Sequence, residues 1–116
     1  MAFANRRELS RHFVEHGADF AAQTQEDYGH MAEIFLMGVQ PPSVVQCRRN
    51  KGDLIRFDTV TGAYGVLDRN NIVRTFFKPI PCASIPPQRR PLMKERGRCH
   101  HLANNLLYFH WDCARW

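Results

Sequence analysis

Apolar side chains recur along the start of the chain with the spacing of a helix face. Leu9, His12, Phe13, His16 and Phe20 stand at i, i+3, i+4, i+7 and i+11, on one side of a helix expected from Asn5 to His16. Gly17 is the expected stop. A second helix is predicted to begin near Thr24, where Thr24 and Asp27 make a near match to a capping box. Its apolar stripe is Tyr28, Met31, Ala32, Phe35 and Leu36, and Gly38 with Pro41-Pro42 ends it.

From Ser43 the period of the pattern falls to two. Strands are predicted over 43–48, 53–58, 63–67 and 72–78, with Ile55 and Phe57 on one face of the second and Leu54 and Arg56 on the other. The breaks between them are Asn50-Lys51-Gly52, Thr61-Gly62 and Asn70-Asn71. The last is a fitting hairpin turn, because asparagine tolerates positive φ. Turns this short imply antiparallel neighbours. After Pro79 the periodicity weakens. Five prolines surround a basic stretch, Gln88-Arg89-Arg90, read as a loop strapped over the sheet. Leu102, Leu106, Tyr108, Phe109, Trp111 and Trp116 then suit a short helix that packs back.

At 116 residues the chain fits a single domain, 1–116: a helical part over 1–40, a sheet over 43–79 and a tail over 80–116. No apolar run approaches the ~20 residues of a membrane span. The opening MAFANRRELSR has neither an apolar core nor a small-residue cleavage site, so no secretory leader is expected. With no leader and no CxxC pair, the four cysteines, Cys47, Cys82, Cys99 and Cys113, are expected to be reduced and mostly packed.

Charge separates the parts. Residues 1–40 carry three basic against six acidic side chains, −3, whereas 41–80 carry seven against three and 81–116 six against two, +4 each. A basic sheet and tail favour a polyanion such as nucleic acid.

Three constellations bear on chemistry. His12 and His16, four residues apart, place two imidazoles one turn apart on the face that meets the protein. Histidine both accepts and donates protons near neutrality, which RNA cleavage without a metal requires. From the spacing alone, however, packed core histidines are the commoner outcome. Arg48, Arg56, Arg74, Thr75 and Lys78 form a second set on the predicted sheet, where guanidinium and hydroxyl groups hold phosphate oxygens or simply face solvent. The third set, Cys99, His100, His101, His110 and Cys113, holds soft ligands but lacks the paired spacing of a zinc site. Phosphate-loop, serine-elbow, dinucleotide and zinc-protease motifs are all missing, so neither a metal nor a cofactor is expected.

The stretch His12-Phe13-Val14-Glu15-His16-Gly17-Ala18-Asp19-Phe20, followed by Tyr28 and Phe35, resembles the opening of a group of bacterial and phage toxin domains. So do Gly52 to Asp58, Gly62 to Val66, Ile72 to Pro79, and Tyr108-Phe109 with Cys113. The group is the barnase, EndoU, colicin and RelE-like (BECR) superfamily of ribonucleases found in polymorphic and contact-dependent toxins. The likeness spans about two thirds of the chain and keeps the motif order. It implies an α+β domain with two N-terminal helices packed on a four-stranded antiparallel sheet. It implies metal-independent cleavage of RNA, often tRNA, by 2′-OH attack to a 2′,3′-cyclic phosphate. Action in the bacterial cytoplasm after delivery by a secretion system and a cognate immunity protein, expected to be acidic, also follow.

Carried onto this sequence, the catalytic candidates are His12, His16, Arg56 and Thr75, with Lys78, Arg74, Arg48 and Tyr28 as substrate-binding candidates. His16 is the expected acid or base with His12 as its partner or support. Arg56 would stabilise the phosphorane, and Thr75 and Lys78 would position the scissile phosphate. The tail after Pro79 departs from the pattern. Two other readings remain open: a non-catalytic RNA-binding module, and an interaction protein of toxin–antitoxin type.

Overall fold

The computed structural model describes residues 2–115; Met1 and Trp116, the latter expected to pack with the tail, lie outside them. The first helix, α1, spans Arg6–His16, with the Asn5 side chain accepting from the Glu8 amide to satisfy one of the free N–H groups of its first turn. A single 3-10 turn, Gly17–Phe20, follows. The second helix, α2, is Gln25–Met37, and Thr24 caps it through the Asp27 amide. Four strands follow as a meander in the order β1 (Val44–Arg48), β2 (Leu54–Asp58), β3 (Tyr64–Leu67) and β4 (Val73–Phe77), every neighbour antiparallel.

The chain is an α+β domain in which α1 and α2 pack on one face of this sheet. Alternate strand residues divide between the two faces. Leu54, Leu67, Val73 and Phe76 join Leu9, Tyr28, Phe35 and Leu36 under the helices. Ile55, Phe57, Tyr64 and Val66 point the other way, toward Phe109. The close approach of α2 to β3 depends on Gly65, where a Cβ would stand 2.9 Å from the Leu36 side chain. The N-terminal segment runs beside β4 in a parallel bridge, Phe3 to Val73, which covers part of that edge.

The tail is more ordered than its prolines suggest. A short helix, α3, spans Arg90–Glu95, where the pattern implied only loop. The expected C-terminal helix, α4, is Asn105–Ala114 and covers the second face of the sheet. A buried polar network seats it. Arg49 donates to Asp112 at 2.5 Å and to Asp53 at 3.1 Å, and the Tyr64 hydroxyl donates to the other Asp112 oxygen at 2.5 Å.

Two disulfides complete the tail, Cys47–Cys113 from β1 to α4 and Cys82–Cys99 across the Pro-rich segment. This corrects the expectation of reduced thiols. The partners stand 66 and 17 residues apart, and only the folded chain brings them together. With Cys99 and Cys113 oxidised, the sulfur ligands of the third constellation are engaged.

Candidate active site

Helix α1 runs toward the end of β4, so its last turn lies against Phe77 and Lys78. Here the chain forms a cleft of about 340 Å³ lined by His16, Glu15, Thr75, Lys78, Arg96 and Arg98. His16 keeps about a fifth of its side-chain surface open, and its ring lies 5.5 Å from that of Phe77. Its Nε2 is 3.3 Å from the Glu15 carboxylate. Burial lowers the His16 pKa below the ordinary 6.5, opposed by Glu15 and Asp19 and reinforced by Arg98 and Arg11. The imidazole is therefore neutral at pH 7, the state of a proton acceptor. Lys78 sits over the Phe20 ring at 5.5 Å, which steadies its chain beside the cleft.

The strap that closes this cleft comes from the tail. The Cys82–Cys99 bridge and the backbone pairing of Cys82 and Ile80 with His100 hold its two ends together. Between them, Arg96, Gly97 and Arg98 reach the cleft. Neither the Arg96 nor the Arg98 side chain has a hydrogen bond or ion pair among the described residues. Sequence reasoning singled out Arg89 and Arg90 in this stretch and missed Arg96 and Arg98. The available signal was the pair of cysteines bracketing it.

His12 lies one turn back and is buried. Its Nε2 stands 3.1 Å from the Arg11 guanidinium, which can only donate, so this nitrogen accepts and Nδ1 carries the hydrogen. That Nδ1 is buried and has no partner among the described residues. Burial and the Arg11 charge lower the His12 pKa. The ring meets His16 at 5.9 Å and Phe3 at 5.3 Å, a position that supports the His16 ring and does not open to the cleft.

Arg74 is set apart by a bulge. Val66 pairs with Thr75 and Leu67 with Val73, so Arg74 is the extra residue of β4 and its side chain is re-aimed. It lines a second cleft, on the α4 face of the sheet, which shares Thr75 and Phe77 with the first.

Three candidates stand elsewhere, and their expected roles are corrected accordingly. Arg56 faces α2: its guanidinium donates to the Phe35 and Gly38 carbonyls and to Gln46, capping the end of that helix instead of meeting a phosphate. Arg48 is exposed on β1 and donates to Gly52 of the following turn. Tyr28 is fully buried with its hydroxyl donating to the Phe76 carbonyl, a core position closed to substrate. In all three the residue type was suggestive, but strand parity and neighbouring carbonyls decide what the side chain meets.

Among the described residues no group of three or more His, Cys, Asp or Glu side chains is placed to hold a metal ion. No helix is long and apolar enough to cross a membrane. No protein-family model matches the chain, and no curated protein matches it.

Proposed function

We propose that this chain is an endoribonuclease that cleaves RNA without a metal, with its reacting phosphate held between α1, the end of β4 and the Arg96–Arg98 strap. The observation that carries the reading is one cleft in which a neutral imidazole, a hydroxyl and two cations without an ion pair among the described residues converge: His16, Thr75, Lys78 and Arg98.

Each group has a task in that chemistry. His16 takes the 2′-OH proton as the oxygen attacks phosphorus; the P–O5′ bond breaks as the ring closes, and the departing 5′-oxygen takes a proton from solvent water. Glu15, 3.3 Å from His16 Nε2, steadies the imidazolium that results. Arg98 and Lys78 hold the non-bridging oxygens as charge builds there, and Thr75 donates to one of them. The product is a 2′,3′-cyclic phosphate. Arg56 has no part in this scheme.

The toxin role rests on the resemblance, as do a tRNA target, action in the bacterial cytoplasm and an immunity protein. Two disulfides add support for passage through an oxidising compartment on the way to the target, since such bonds seldom form in the cytoplasm. An acidic immunity protein suits the +4 charge of each of the last two parts of the chain.

The test is incubation of the oxidised protein with total bacterial RNA in EDTA, beside a His16→Ala control. Discrete fragments ending in a cyclic phosphate and lost in the control are the expected result. Intact RNA that the protein nonetheless binds replaces the enzyme with an RNA-binding module. Intact RNA with no binding leaves the interaction-protein reading.

A further inference from the structure

The second cleft, about 590 Å³ on the α4 face of the sheet, is larger than the one holding His16. Its floor is Tyr64, Val66, Thr75 and Phe77. Its charge is uneven in origin. Asp53 and Asp112 are engaged by Arg49, and Asp68 accepts the Asn70 and Ile72 amides. Arg69 and Arg74 carry no hydrogen bond or ion pair among the described residues. Both are exposed, and the bulge of β4 brings Arg74 to this rim. Tyr108, half-buried and stacked on His100 at 4.5 Å, adds an aromatic side chain on the α4 side.

Thr75 and Phe77 line both clefts, so the two adjoin at β4. The imidazole thus lies on one side of Thr75 and Phe77, and two unpartnered guanidinium groups with aromatic rings lie on the other. Cations along a backbone path beside aromatic rings are what a single strand of nucleic acid uses: phosphates meet the cations and unstacked bases meet the rings.

Resting on the ribonuclease reading, we infer that the Arg69/Arg74/Tyr108 cleft is a binding subsite for the nucleotides flanking the scissile phosphate, and that the substrate enters as single-stranded RNA. A dinucleotide, with its one phosphate beside His16, leaves this subsite empty. A longer strand fills it.

Binding of uncleavable 2′-O-methyl RNA, a dinucleotide and a hexamer, tests this apart from catalysis. The proteins compared are the oxidised wild type, Arg69→Ala/Arg74→Ala, Tyr108→Leu and a charge control, Arg6→Ala/Arg7→Ala, outside both clefts. Two lost phosphate contacts lower hexamer affinity on the order of ten-fold or more. They also flatten its slope against log salt by about 1.4. The expected result is a loss several-fold greater on the hexamer than on the dinucleotide, and greater than in the charge control. Tyr108→Leu, with the cations in place, lowers hexamer affinity without changing the salt slope. Equal losses on both RNAs, or the same loss in the charge control, overturn the subsite. A hexamer duplex that binds as well as the single strand overturns the substrate class. If the hexamer binds as expected but no RNA is cut in EDTA, the subsite stands and the enzyme reading falls.

Discussion

Arg49 and Asp112 lie 63 residues apart in the chain, yet the guanidinium donates to the carboxylate at 2.5 Å inside the tail-to-sheet junction. Both side chains are at least nine-tenths buried. The same carboxylate accepts the Tyr64 hydroxyl at 2.5 Å, so one aspartate on α4 satisfies a strand tyrosine and a turn arginine together.

Removing that aspartate strands both partners. Asp112→Ala is expected to destabilise the fold by about 3–5 kcal/mol, because it leaves a buried guanidinium with less than its full set of acceptors. Asp53 at 3.1 Å softens the loss toward the lower figure. Urea unfolding of the oxidised protein measures it. A change near 0.5 kcal/mol would mean that the junction is solvated.

Burial of two histidines sets a pH dependence. Both His12 and His16 have folded-state pKa values below the ordinary 6.5. Below 6.5 the unfolded chain therefore binds more protons than the folded one, and stability falls as the pH drops. The stabilisation is fully present above 6.5 and is lost as pH falls through the folded-state values. Urea midpoints are expected to decline from pH 7.5 to pH 5, and to decline less in His12→Leu. In the cleavage reaction the acid limb of kcat/KM is expected below 6.5, marking the pH at which His16 gains its proton. A limb above 6.5 would assign it to another group.

The Cys82–Cys99 bridge joins residues 17 apart and anchors the strap that carries Arg96 and Arg98. A closed loop of that size stabilises the fold by about 3 kcal/mol. Cys82→Ser/Cys99→Ser is expected to lower stability by that order. It also weakens RNA binding, since Arg96 and Arg98 lose their fixed place beside His16. Affinity measured at a temperature where the variant remains folded separates the two effects, and full affinity there would show that the strap makes no contact with RNA.

Gly65 is the contact point of α2 with β3. Gly65→Ala puts a methyl group 2.9 Å from Leu36, where packing is already tight, and is expected to cost about 1–3 kcal/mol. Thermal unfolding checks it, and the loss is expected to shrink when Leu36→Val makes room. Equal losses with and without Leu36→Val would place the strain elsewhere.

Much of the fold was legible because it is written in local periods. The two helix faces, the Thr24 cap and the positive φ at Asn71 follow from residue type and spacing within a few positions. The four strands lie within a residue or so of their expected limits for the same reason. The site was legible only in part. His16, Thr75 and Lys78 meet in one cleft. Arg56, Arg48 and Tyr28 do not join them, because a side chain's parity on its strand or face on its helix shows direction but not the carbonyl that awaits it.

By itself, then, the sequence determined the two N-terminal helices, the four strands and the C-terminal helix in their order, the antiparallel meander and a basic sheet and tail, but not α3. These depend on alternation, turn chemistry and charge, all of which act over short distances along the chain. Tertiary structure alone decided that Cys47 meets Cys113, that Arg49 meets Asp112, and that Arg98 from the tail stands beside His16 from the first helix. Those are contacts between segments far apart in sequence, formed when burial of the sheet's two apolar faces draws α1 and α2 onto one side and α4 onto the other.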